Sequence, residues 1–253
     1  MRMSDVETSV DWLLKLGCQV QLRNPGSSHS SIRRLQQVYC RRGNRMSEIE
    51  YFYSAHSAYA YLGSARFMEI ARAADRRIAH RPMDLRKVVA VTGPGPTNGL
   101  TPARRAYFSG REIERWAEFR VAPVMQGFPT HHDKDMTLPN GMLIAGLLQG
   151  INVDRLAHCM LEAHWRDDTD LADSETLTQL GKTGGIDPEP LLEAALSPEV
   201  QAVYVSNTEE AIDRSVFGSP TYFLDGDMFY GQDHLEMVER ALERPFAGAW
   251  PRS

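Results

Sequence analysis

The run His56-Ser57-Ala58-Tyr59-Ala60-Tyr61-Leu62 places a hydroxyl where strand-like alternation gives way to helical spacing. A serine at such a junction caps the helix: its oxygen accepts from a backbone N–H while its own proton stays free to donate. The orphan N–H groups and the positive end of the helix dipole favour an anion at the same point, so the chemistry on offer is stabilisation of a bound anion. An ordinary N-cap is the bland account of Ser57, and the two are compatible. His56 reads as a turn residue that would flank the bound group, and Tyr59 and Tyr61 as core or wall residues, because a phenol with a pKa of about 10 is a poor acid. His131-His132-Asp133 offers imidazoles and a carboxylate. Adjacent residues point in different directions and no further ligand follows at metal-site spacing, so no metal is expected there. A loop before the next helix, part of a cleft wall, accounts for it better.

The elements that must position Ser57 can be read on either side of it. Ile49, Tyr51 and Tyr53 alternate with Glu50 and Phe52 as a strand does; Tyr61, Leu62, Ala65, Met68 and Ala71 follow helical spacing; Ile78–Pro82 reads as the next strand, closing a β-α-β unit. Far along the chain, Pro220 suits a strand start, Thr221-Tyr222-Phe223-Leu224 supplies β-branched and aromatic residues, and Asp225-Gly226 predicts a two-residue hairpin turn. Asp227–Tyr230 is the returning strand, Gly231 breaks it, and Asp233 is placed to cap a helix through Leu235, Val238 and Leu242. Between the two halves, Pro82 to Pro102 reads as a Pro/Gly-rich loop long enough to cover a site, followed by segments of helical periodicity from Ala103 to Ala195. A helical insert docked on such a fold leaves a cleft for small ligands.

The segment from Phe217 to Asp233 resembles the C-terminal half of a thioredoxin fold. More narrowly, it resembles the kappa-class glutathione transferases and the 2-hydroxychromene-2-carboxylate isomerases. In those families a Gly-x-Pro with a cis proline precedes the third sheet strand, matched by Gly218-Ser219-Pro220, and a Gly-Gln-Asp opens the last helix, matched by Gly231-Gln232-Asp233. Redox-active thioredoxin folds carry Cys-x-x-Cys where this chain has Ser57, Ala58, Tyr59 and Ala60. Without a thiolate and a resolving partner, dithiol exchange is excluded at that position. The isomerase and transferase families place a serine there, in a Leu-Ser-Pro-Phe/Tyr-Ser-Tyr-Leu-like run. This chain departs from the pattern with Ala58 at the proline and Ser54 at an upstream aspartate.

The resemblance implies an α/β thioredoxin fold (β-α-β … β-β-α) with an inserted all-helical domain. Residues 46–82 and 199–246 would form the thioredoxin-like domain and 83–198 the insert. The implied activity is glutathione-dependent cis-trans isomerisation of a conjugated aromatic carboxylate, as in aromatic-compound catabolism, with Ser57 activating the glutathione thiol. A hydrogen bond to the ionised sulfur and the helix end would draw a thiol from about pKa 8.5 toward neutrality. Glutathione would further be held by Ser219 and Pro220, by Gln232 and Asp233, by Arg104 in a loosely matched Pro-Arg-Lys-x-x-Tyr-like run, and by Asn98 in the covering loop. A solvated face accounts equally well for Arg104. A kappa-like transferase, or a DsbA-like protein that binds thiols or peptides without redox chemistry, remains the alternative, and a homodimer is implied by relatives alone.

Composition fits a soluble enzyme of modest size, expected in the cytoplasm, and the resemblance implies a small aromatic substrate. A net charge of −5 disfavours nucleic acid as partner, and no stretch approaches the roughly 18 apolar residues of a membrane span. Cys18, Cys40 and Cys159 form neither a disulfide framework nor a zinc pattern. Residues 1–45 carry eight Lys/Arg against three Asp/Glu while the rest carries 20 against 30. That change of sign marks residues 1–45 as an expected extension outside the fold, poorly ordered, consistent with an upstream start before Met46.

Overall fold

The computed structural model describes residues 48–93, 101–248 and 250. The expected extension over 1–45, Cys18, Cys40 and Asn98 lie outside the described residues. Strand β1 (Glu48–Tyr53) runs parallel to β2 (Arg77–Pro82) and antiparallel to β3 (Thr221–Leu224), which pairs antiparallel with β4 (Asp227–Tyr230). The sheet order is β2-β1-β3-β4. The β3–β4 hairpin closes on Asp225 and Gly226, both at positive φ (51° and 94°), as a two-residue turn requires to match strand twist.

As a central strand, β1 is apolar on both faces. Ile49, Tyr51 and Tyr53 pack with Phe67 and Ile70 of helix α1 (Ala58–Ala73), and Phe52 packs on the opposite face with Met83, Val88, Val216 and Phe223. The Tyr51 ring lies between those of Tyr53, at 4.1 Å, and Tyr222, at 5.4 Å, fixing β1 against β3 through offset stacks. The α1 helix follows from its five alanines and the Ser57 cap.

Between β2 and β3 the described chain is helical: α2 (Leu85–Thr92), α3 (Pro102–Ala106), α4 (Glu112–Arg120), α5 (Thr137–Leu148), α6 (Asp154–Asp167), α7 (Ser174–Gly184), α8 (Glu189–Ala195) and α9 (Pro198–Asp213). Helix α9 packs on α2, α5 and β2, bringing the end of the helical run back to the sheet. After β4, a 3-10 turn (Gln232–His234) leads into α10 (Leu235–Glu243). This is the β-α-β … β-β-α order of a thioredoxin fold with helices inserted at its middle.

Two local expectations are corrected. The loop read over Pro82 to Pro102 contains helix α2, capped by Asp84 accepting from Lys87 N at 3.0 Å; flanking Pro and Gly obscured eight residues that bury Val88. Asp233 does not cap the last helix: the 3-10 turn intervenes, α10 starts two residues later, and it has no side-chain cap.

Candidate active site

Ser57 sits at the junction of β1 and α1 with 5% of its surface exposed. Its Oγ accepts from Ala60 N at 3.3 Å as the helix cap and donates to the carbonyl of Ser219 at 3.1 Å. The hydroxyl therefore joins the α1 N-terminus to the Ser219–Pro220 peptide bond, which is cis as expected. No cysteine stands at either end of the Ser57–Ala60 stretch; the described cysteine, Cys159, is buried in α6. A neutral carbonyl is the weaker acceptor for that proton, because bonds to ionised acceptors are roughly twice as strong. An anion seated beside Oγ would recruit the hydroxyl by rotation about a single bond.

The Ser219 loop is held by contacts that leave Ser57 facing it. Thr221 Oγ1 donates to Gly218 O at 2.9 Å and Gly231 N to Pro220 O at 2.9 Å. A Cβ at Gly218 would overlap the Tyr230 ring, so any larger residue there must displace that half-exposed side chain. Ser219 Oγ is buried with no partner among the described residues.

Gln232, which the resemblance implied as a glutathione contact, is 1% exposed. Arg120 Nε donates to its Oε1 at 3.0 Å and Arg120 Nη2 to its backbone carbonyl at 3.1 Å, while Nη1 reaches Glu236 at 2.6 Å. Arginine only donates, which assigns Oε1 and leaves Nε2 as the buried atom without a described partner. Two residues assigned to glutathione, Ser219 and Gln232, thus each carry an orphaned buried polar atom, the condition a polar ligand relieves. Asp233, one residue on, is half exposed and lies 3.4 Å from His234 Nδ1. Its carboxylate is one of the charges that raise the Tyr59 and Tyr230 phenols, after burial.

Tyr59 bridges from α1 to the insert. Its OH donates to Phe108 O at 2.8 Å, in a π-helical turn over Tyr107–Arg111 between α3 and α4; single π turns frequently sit at functional sites. Burial, then Glu112, Tyr230, Asp233 and Tyr107, hold its phenol well above the usual value, so Tyr59 is a neutral donor and wall residue, as its chemistry suggested. Arg104 is exposed on α3, and no described contact joins it to Ser57 or Asp233.

The residues before Ser57 build a second polar group. Asn140 Oδ1 accepts from Ala55 N at 3.0 Å, which fixes the amide so that Nδ2 donates to Ser54 Oγ at 3.2 Å. Ser54 Oγ lies 2.9 Å from His56 Nδ1, and Trp165 Nε1 donates to His56 O at 2.8 Å. The His56 ring packs 4.7 Å from His132, which stacks on His164 at 5.3 Å. Burial, then His132, His164 and Arg86, push His56 well below the ordinary histidine range. His132, in the loop before α5 where the sequence suggested a cleft wall, thus packs on a neighbour of Ser57. Neither Arg120 nor this histidine cluster was found from sequence, since each depends on partners tens of residues away.

A thioredoxin-fold protein with a hydroxyl in place of the reactive thiol is the class this fold and site define. The family model described as a DSBA-like thioredoxin domain matches residues 48–243, and the chain belongs to that family. It is 26% identical over 196 residues to a 2-hydroxychromene-2-carboxylate isomerase from Pseudomonas sp. (strain C18), covering 77% of this chain and 89% of the relative. Among solved structures it is similar to a 2-hydroxychromene-2-carboxylate isomerase at TM-score 0.64 and 23% identity, over 78% of this chain and 94% of that one. It is also similar to the cytosolic disulfide reductase DsbM from Pseudomonas aeruginosa with GSH, at TM-score 0.51 and 15% identity, over 78% and 93% of the two chains.

Proposed function

We propose that this protein is a glutathione-dependent isomerase acting on a conjugated aromatic carboxylate of the 2-hydroxychromene-2-carboxylate type. The observation that carries the reading is the Ser57 hydroxyl, buried at the N-terminus of α1 against the Ser219–Pro220 peptide, at the position where a redox relative would hold a thiol. Isomerase relatives of nearly full length support the reaction class.

Bound glutathione would supply a thiol that adds to the conjugated double bond, frees it to rotate, and leaves. The chain's own contribution is to hold that sulfur ionised. Ser57 donates the hydrogen bond, and the first N–H groups of α1 add the positive end of the helix dipole. Ser219 sets its backbone carbonyl against Ser57 and carries a buried hydroxyl without a described partner. Asp233 offers a half-exposed carboxylate for an ammonium group, and Gln232, gripped by Arg120, fixes the turn that carries it. Tyr59 and the π turn wall the site toward the insert, restricting water.

Calorimetric titration of glutathione into the wild type and into Asp233→Ala tests the reading. The expected result is micromolar to millimolar binding, weakened about tenfold or more by loss of the charge-assisted contact. Absence of glutathione binding by the wild type would refute it.

A further inference from the structure

A cavity of about 110 Å³ opens beside the turn that carries Ser57, lined by Ser54, His56, Asp84, Leu85, Arg86, Asp135, Met136 and Tyr204. Its floor is the buried His56, Ser54 and Met136 with Tyr204, and its rim carries the exposed Arg86 and Asp135. None of these residues is used by the thiol chemistry proposed above. The His56 ring has one defined polar contact. Asn140 donates to Ser54 Oγ, so the Ser54 proton is available to His56 Nδ1, at 2.9 Å. With Nδ1 accepting that proton, Nε2 carries the hydrogen, the tautomer this inference requires. No described residue accepts from Nε2. A buried imidazole, 5% exposed, thus brings an unpaired N–H to the floor of a cavity one residue from Ser57.

We infer that His56 is a catalytic residue of the isomerisation, donating a hydrogen bond from Nε2 to a neutral, conjugated carbonyl oxygen of the aromatic substrate. This rests on the isomerase reading. The cavity is smaller than the roughly 150 Å³ void that admits a benzene ring, so it takes the oxygen-bearing end of a substrate and leaves the ring outside. Two carboxylates, Asp84 and Asp135, face one guanidinium, Arg86, which makes it a poor seat for a permanent carboxylate and a suitable one for an uncharged oxygen. As the double bond is attacked, its electron pair moves toward that conjugated oxygen. The His56 N–H bond strengthens as charge develops, and it relaxes when the pair returns. No proton is transferred and no co-reactant is consumed. Burial and the facing His132, His164 and Arg86 keep the imidazole neutral, so it donates without titrating near neutral pH.

Two measurements test this. In the first, long-range proton–nitrogen NMR of the His56 ring, assigned by its loss in His56→Gln, is recorded with acetophenone, a neutral aromatic ketone, and with benzoate. The expected result is the Nε2–H tautomer, with Nε2 shifted by the ketone and much less by the carboxylate. An Nδ1–H tautomer, or no response to the ketone, overturns the inference. In the second, turnover of 2-hydroxychromene-2-carboxylate with glutathione is compared in wild type, His56→Leu and His56→Gln, alongside the ultraviolet signal of bound thiolate. The Leu variant should lose about 10²–10³-fold in kcat, the cost of removing one oxyanion donor, with the thiolate signal intact. The Gln variant, which keeps a donor nitrogen near the same place, should regain most of that loss. Equal turnover in Leu variant and wild type, or a Gln variant as slow as the Leu variant, refutes the role of His56 alone. A wild type with no thiolate signal refutes the glutathione reading and this inference with it, and a melting curve identifies a variant that fails to fold.

Discussion

Replacing Arg120 by Met tests whether one guanidinium fixes the turn that carries Gln232 and Asp233. The side chain is 7% exposed and makes four hydrogen bonds, two to Gln232 and two to Glu236. The two sets differ in consequence. Glu236 is half exposed, so water replaces its partner and the loss there is about 0–1 kcal/mol. Gln232 is 1% exposed, so its Oε1 would be left buried without a donor, at a cost of about 1–3 kcal/mol, while its backbone carbonyl keeps the bond from Leu235 N. The methionine stem retains part of the packing on Trp116 and Phe119, whose rings the guanidinium approaches at 5.4 Å. The expected net loss is about 1–3 kcal/mol, a drop in melting temperature of roughly 2–12 °C for a chain of this size. Urea unfolding of Arg120→Met, Gln232→Leu and the double variant separates the contributions. Removing Oε1 as well should recover about 1 kcal/mol relative to the sum of the single changes, because one orphaned acceptor is gone. A loss under about 0.5 kcal/mol in Arg120→Met, or strict additivity in the double variant, would refute the reasoning.

Two further outcomes follow from strain and from buried histidines. Val121 ends α4 in the left-handed region at φ 53° while 86% exposed, so Val121→Gly should stabilise by about 1 kcal/mol, read as a melting temperature raised by roughly 2–4 °C; a lower melting temperature would contradict it. Burial, then His164 and Arg86, push His132 down to about 4, and burial lowers His56 and His164 as well. In the unfolded chain these rings take up protons near pH 6.5, while the folded chain refuses them until lower pH, so stability is full above about 6.5 and is lost as pH falls toward 4. Urea midpoints at pH 7 and pH 5 should differ by about 1–3 kcal/mol of stability, and His132→Phe should flatten the difference; an unchanged slope in that variant would assign it to carboxylates instead.

The strands and their turn were legible because their signals are local. Asp225-Gly226 can close a two-residue hairpin by its own backbone preferences, and the alternation of Ile49, Tyr51 and Tyr53 survives on a strand buried on both faces. Ser57 was found because a cap and a donor are the same atom seen from two sides. What escaped sequence reading depends on distant partners. Arg120 reaches Gln232 across 112 positions, and the Ser54–His56 turn meets Asn140, His132 and Trp165 from three separate elements, so no spacing rule connects them. Helix α2 escaped for another reason: its β-branched run between Pro82 and Gly93 has weak intrinsic preference, and its placement comes from packing Val88 against Phe52 and Phe223. Asp233 was misplaced by one kind of turn, the 3-10 segment, which releases its carboxylate from capping and leaves it half exposed.

The claim at the centre is that the Ser57 hydroxyl stabilises a bound thiolate. Its direct test is the ultraviolet thiolate absorbance of the protein with saturating glutathione, followed against pH in wild type and Ser57→Ala. The account predicts that wild type shows thiolate at neutral pH, with a thiol pKa drawn down from about 8.5 by one to two units, and that Ser57→Ala moves it back by about one unit while glutathione still binds. Thiolate appearing at the same pH in both proteins would contradict it.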